Sequence, residues 1–157
     1  MEPTPVKKPA DIGRGQLVLW IWTFYATVIS GYFDLKELPE TVQSINDSAQ
    51  GLFTVTDDMA FNGIIAEKIL IFVVSAWVIA TISLRRSGGR NTVLWAVILQ
   101  AACYPFMGTF SSGKEIAKAI PDIGLQILAL ALLYSRASTA WFKTNPKNMK
   151  KKNREKD

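Results

Sequence analysis

The sequence predicts an all-α polytopic membrane protein, four transmembrane helices in an antiparallel bundle with a short amphipathic helix in the first outer loop. Three observations predict it. Four apolar stretches, at about residues 17–33, 63–84, 92–110 and 121–140, carry almost no charge. Each approaches the roughly 20 residues that an α-helix needs to cross about 30 Å of hydrocarbon. Of the 18 Lys and Arg, fourteen lie before the first stretch, between the second and third, or from Arg136 onward. That asymmetry follows the positive-inside pattern and places both termini in the cytoplasm, as in a multi-pass protein of a bacterial inner membrane. Finally, residues 17–33 and 69–84 show no charged face of the kind that a soluble amphipathic helix keeps toward water.

Residues 1–14 hold Pro3, Pro5 and Pro9 beside Lys7, Lys8 and Arg14 and lack an apolar period, which predicts a flexible basic tail. The first stretch is rich in Trp20, Trp22, Phe24 and Tyr25, and it ends at Tyr32 and Phe33 where a signal peptide would carry small residues. It reads as an uncleaved helix, with Gly15 and Gln16 drawn into the interface. Thr23, Thr27 and Gly31 recur at four-residue spacing, a small-residue face for close helix approach.

The outer loop, 34–62, sets Asp34, Glu37, Glu40, Asp47, Asp57 and Asp58 against Lys36 alone. Within it Leu38, Val42, Ile45, Ala49 and Leu52 keep the one-face period of a helix, and Pro39 suits a first helical position. A helix over about 39–53 is expected. Its apolar stripe either caps the bundle or docks a membrane or periplasmic protein.

The turn at 85–91 reads RRSGGRN, and its paired glycines predict a tight cytoplasmic reversal between the second and third helices. Pro105 predicts a kink in the third helix. Ser112, Gly113 and Lys114 suggest the second outer turn, and helix is expected again from about Glu115. In the fourth stretch Asp122 stands at the start and Arg136 near the end, where each can reach the headgroups. Trp141 and Phe142 read as an interfacial aromatic pair, followed by a basic tail, 143–157. That tail fits anionic lipid headgroups and gives no reason to expect nucleic acid.

Polar residues inside the stretches are the candidates for function, because lipid makes them costly unless they are paired. Glu67 and Lys68 on the second helix and Lys118 and Asp122 about the start of the fourth suggest a charged collar near the outer boundary. Glu67 would then pair with Lys118, and Lys68 with Asp122. Gln100 and Gln126 are placed to hydrogen-bond across the third and fourth helices. Catalytic residues are scarce: the chain has no His, and Cys103 is its one cysteine, so an internal disulfide is excluded. No catalysis, cofactor or metal is expected, Asp57 and Asp58 being too few ligands for a hard cation.

The segment LQILALALLYSRASTAWFK, Leu125 to Lys143, resembles the closing helix of small uncharacterised bacterial four-helix inner-membrane proteins. The resemblance covers about a fifth of the chain and implies location without activity or site residues. Small multidrug exporters, another four-helix class, carry an embedded acid in their first helix, and residues 17–33 have none. The expected function is therefore protein-protein contact, as an accessory subunit or an immunity-type factor. The alternative is an oligomeric small-solute or ion channel or carrier built on the collar, with a homo-oligomer as the working form.

Overall fold

The computed structural model describes residues 7–103 and 113–144. All regular structure among them is helical: α1 (Ala10–Phe24), a π-helical turn (Tyr25–Ile29), α2 (Ser30–Lys36), α3 (Leu38–Ala49), α4 (Asp57–Ser83), α5 (Ser87–Cys103), α6 (Gly113–Leu133) and α7 (Arg136–Lys143). Three runs are long and apolar enough to cross a membrane, Ala10–Lys36, Asp57–Ser83 and Ile116–Leu133, and they mark the chain as a membrane protein. The expected span 92–110 is described only as far as Cys103, within α5. Pro105, the turn residue Ser112 and the tail from residue 145 lie outside the described residues.

The chain divides into two compact units, one of Met1–Trp22 with Ala76–Asp157 and the other of Thr23–Ser75. The core of the first is a cluster of Ile12, Leu19, Val78, Ile79, Ile82, Val93, Ala129, Leu133, Trp141 and Phe142. Ile12 is fully buried in it, and this explains why helix begins at Ala10 instead of after a tail ending at residue 14. Burying Ile12 orders the first turn, and Asp11 beside it suits the positive end of the helix dipole.

The last span also differs from expectation. It begins before Pro121, at Gly113, and ends at Leu133. Pro121 sits inside the helix with no N–H to offer the Ala117 carbonyl, and the helix continues through it. Ser135 then caps α7, its side chain accepting from Ser138 N–H at 3.3 Å. Arg136 therefore starts a new helix and is not held within the span.

Trp141 and Phe142, expected at the lipid interface, are instead buried in the core, with 6% and 1% of their surface exposed. Arg85 of the α4–α5 turn and Arg90 of α5 hold α7 in place. Arg85 donates from Nε to the Trp141 carbonyl at 2.7 Å, bonds to Thr144 Oγ1, and lies 4.9 Å from the Trp141 ring centroid. Arg90 lies 4.6 Å from the Tyr134 centroid and 4.9 Å from that of Phe142. Its Nη1 donates to Thr139 Oγ1 at 3.2 Å. A guanidinium that stacks on rings needs less desolvation than an ammonium would, which suits arginine to this position.

The reversal at 85–91 also works differently from the paired-glycine turn. Arg85, not a glycine, adopts the left-handed conformation, with φ 58°. Gly88 and Gly89 belong to the first turn of α5. A Cβ on Gly89 would lie 2.5 Å from Thr81 Oγ1 and 3.1 Å from the Ile82 backbone nitrogen, so that glycine allows α5 to approach the end of α4.

In the second unit, the π-helical turn is closed by Ser30 N–H donating to the Tyr25 carbonyl. The helix α3 is amphipathic as its periodicity predicts, but it ends at Ala49. Gln50 (φ 48°) and Gly51 (φ 81°) are both left-handed, and Leu52 N–H returns to the Ala49 carbonyl at 2.9 Å. Asn46 closes the following loop with two bonds to Val55, Nδ2 to O at 2.9 Å and Oδ1 from N–H at 2.7 Å.

Candidate functional site, a carboxylate within an apolar helix

Asp122 is the residue whose setting departs most from a reading of it as interfacial. The helix α6 starts at Gly113, so Asp122 falls near its middle. Within the apolar segment Ile116–Leu133 it lies about 9 Å of helix rise past Ile116. A side chain as short as aspartate snorkels less far along a helix than a long Lys does.

Three helices supply its neighbours. Trp22 of α1 donates from Nε1 to Oδ1 at 2.5 Å. Gln126, one turn further along α6, donates from Nε2 to Oδ1 at 3.1 Å. Gln100 of α5 donates from Nε2 to Oδ2. The two glutamines are joined as well, Gln126 Nε2 to Gln100 Oε1 at 2.8 Å. Gln126 is 4% exposed, and Asp122 and Gln100 are half-buried. Charge-assisted bonds from neutral donors spread the carboxylate charge, and their geometry ties α1, α5 and α6 together at one level. The Gln100 and Gln126 pair was readable in the sequence; its convergence with Trp22 on Asp122 was not.

Of the other collar residues, Glu67 and Lys68 belong to the second unit and Lys118 to the first. Lys68 of α4 reaches Asp34 of α2 at 2.7 Å and its neighbour Glu67 at 3.2 Å. The Lys68 side chain is only 12% exposed. Asp34 is thus the partner that the collar expectation lacked, although its place just after the first predicted span made it available. Lys118 stands one turn before Asp122 on α6.

The docking stripe of α3 is largely turned inward: Leu38, Val42 and Ala49 are buried, and Ile45 remains partly exposed. Leu52, expected to complete the stripe, lies beyond the helix end and is 89% exposed. An open groove of about 340 Å³ lies beside α3, walled by Leu35, Leu38, Pro39 and Phe61 with Asp57 and Asp58 at its rim. Among the described residues no three His, Cys, Asp or Glu side chains converge as a metal centre would require.

A polar inner layer completes the first unit. Gln16 donates from Nε2 to Ser83 Oγ at 2.6 Å and to the Ile79 carbonyl at 3.2 Å, and accepts from Lys8. Ser135 donates to Asp11 Oδ2 at 2.7 Å. These bonds satisfy helix ends and hold α1 against α4 and α7, a structural task that leaves Asp122 as the embedded acid to explain. No protein-family model matches the chain, and neither a characterised protein nor a solved structure shows significant similarity to it.

Proposed function

We propose that this chain is a small multi-pass membrane protein that binds a proton or a small monovalent cation at Asp122 and passes it across the bilayer, without chemical catalysis. Its setting would be a bacterial inner membrane, with four spans, both termini in the cytoplasm and a homo-oligomer as the working form. The observation that carries the proposal is the carboxylate of Asp122 within an apolar span, held by donors from three helices. An ionisable group at that depth is expensive, and such groups mark ion and proton pathways in membrane proteins. Lys68, the cation that the sequence pairs with Asp122, has Asp34 as an ion-pair partner at 2.7 Å.

The test is flux in proteoliposomes, with an enclosed pH indicator and imposed proton, sodium or potassium gradients. The wild-type chain is expected to dissipate one of them, and Asp122→Asn to lower the rate at least tenfold. Equal rates for the two proteins, or no flux with any gradient, would overturn the proposal.

The contact reading is second. It rests on Leu52 and Phe53, which are 89% and 58% exposed at the tip of the loop after α3, a pair of apolar side chains that a partner outside the membrane would cover. Recovery of a stoichiometric partner from mild detergent, lost on Leu52→Ser with Phe53→Ser, would favour it.

A further inference from the structure

The three bonds described at Asp122 all bring N–H donors to the carboxylate. That set suits an anion; a protonated carboxyl carries an O–H that needs an acceptor. The Trp22 indole cannot accept, but each glutamine has an amide oxygen, and Gln100 Oε1 already accepts from Gln126. The terminal torsion of glutamine is broad and nearly two-fold, so turning an amide over exchanges donor for acceptor at small cost.

We infer that Gln100 and Gln126 form a reversible relay that reports and accommodates a proton on Asp122. With the carboxylate ionised, the bonds run from Gln126 to Gln100 and from Gln100 to Asp122, as in this structure. When a hydronium ion gives its proton to Oδ2 and leaves as water, both amides turn over. Asp122 then donates to Gln100 Oε1, and Gln100 Nε2 donates to Gln126 Oε1. Among the described bonds the one given up is the 3.1 Å contact from Gln126 to Oδ1, while Trp22 keeps its place on Oδ1 in both states. The remaining titratable groups on the three helices are Asp11 and Arg14 on α1, Arg90 and Cys103 on α5, and Lys114, Glu115 and Lys118 on α6. Lys118 shares the Asp122 face one turn away and is the charge closest to the relay along α6.

The inference rests on the reading of Asp122 as a ligand site, but its test does not need transport. Infrared difference spectra between acid and neutral pH would be recorded on the full chain in liposomes, with isotope-labelled glutamine side chains. The expected result is a carboxylic-acid carbonyl band that Asp122→Asn removes, accompanied by a shift of the glutamine amide band. Gln100→Met should abolish that shift. Should Asp122→Asn fail to fold, the glutamine shift of the wild type and its loss in Gln100→Met decide the relay. A carboxylic-acid band without a glutamine shift, or no Asp122-dependent band between the two pH values, would overturn the relay. A working relay in a protein that conducts nothing would sink the carrier proposal alone, and flux without a glutamine shift would sink the relay alone.

Discussion

Arg85 donates to the Trp141 backbone at 2.7 Å while its guanidinium lies over the Trp141 ring, and this double contact fastens α7 to the turn between α4 and α5. Arg85→Lys keeps the charge but loses the planar group that makes both contacts, and it should cost about 1–2 kcal/mol. Trp141→Ala also empties a core position and should cost about 3 kcal/mol or more. Thermal unfolding in detergent, followed by circular dichroism, gives both values in the expected order.

The two neighbouring glycines in the first turn of α5 should respond oppositely to alanine. At Gly89 a Cβ meets Thr81 and the Ile82 backbone, so Gly89→Ala should destabilise by about 1–3 kcal/mol through overpacking. At Gly88 there is open space, and Gly88→Ala should stabilise α5 by about 0.5–1 kcal/mol. The same unfolding measurement on the pair separates close approach from a general need for flexibility in the turn.

Lys68 offers a third contrast. Asp34→Ala leaves a mostly buried ammonium with only the more exposed Glu67 beside it, and it should cost about 3 kcal/mol. Lys68→Met removes the charge while keeping the stem that packs against Gly31, and it should cost distinctly less. If the lysine variant proves the more damaging by detergent-solubilised yield and melting temperature, the pair does not act as described.

Around Asp122, Trp22→Phe removes one donor while keeping the ring. About 1–3 kcal/mol of stability should be lost, as for a hydrogen bond to a charged group. Gln126→Leu should cost about 0.6–2 kcal/mol, the range for interhelical polar contacts in lipid. Double-mutant cycles in detergent should show coupling between the two positions, because both donate to Oδ1.

Much of the fold was readable because apolar length and helical period are local properties. The α3 periodicity located that helix within a few residues, and hydropathy located all three candidate spans among the described residues, with shifted ends. The misplaced boundaries have specific causes. Helix is expected from about Glu115 but the apolar span only from Pro121; α6 runs through both from Gly113, which puts Asp122 near its middle. Ser135 with Ser138 carried a usable capping signal, but the apolar run around it masked the break. Gln50 ends α3 in a conformation that its residue type does not favour, so Leu52 was counted in a helix it does not join. The Asp122 site was legible only in pieces: glutamines show in a sequence, but a Trp N–H reaching an acid 100 positions away depends on packing alone.

The most direct test of the account is the depth of Asp122. A spin label at Gly124→Cys, where the structure leaves open space, can be placed in a Cys103→Ala background, since Cys103 is the only native cysteine. In liposomes its relaxation should respond strongly to dissolved oxygen and weakly to a water-soluble nickel complex, the signature of a site within hydrocarbon. A stronger response to the nickel complex would place the Asp122 turn in water and contradict the claim on which the proposed function stands.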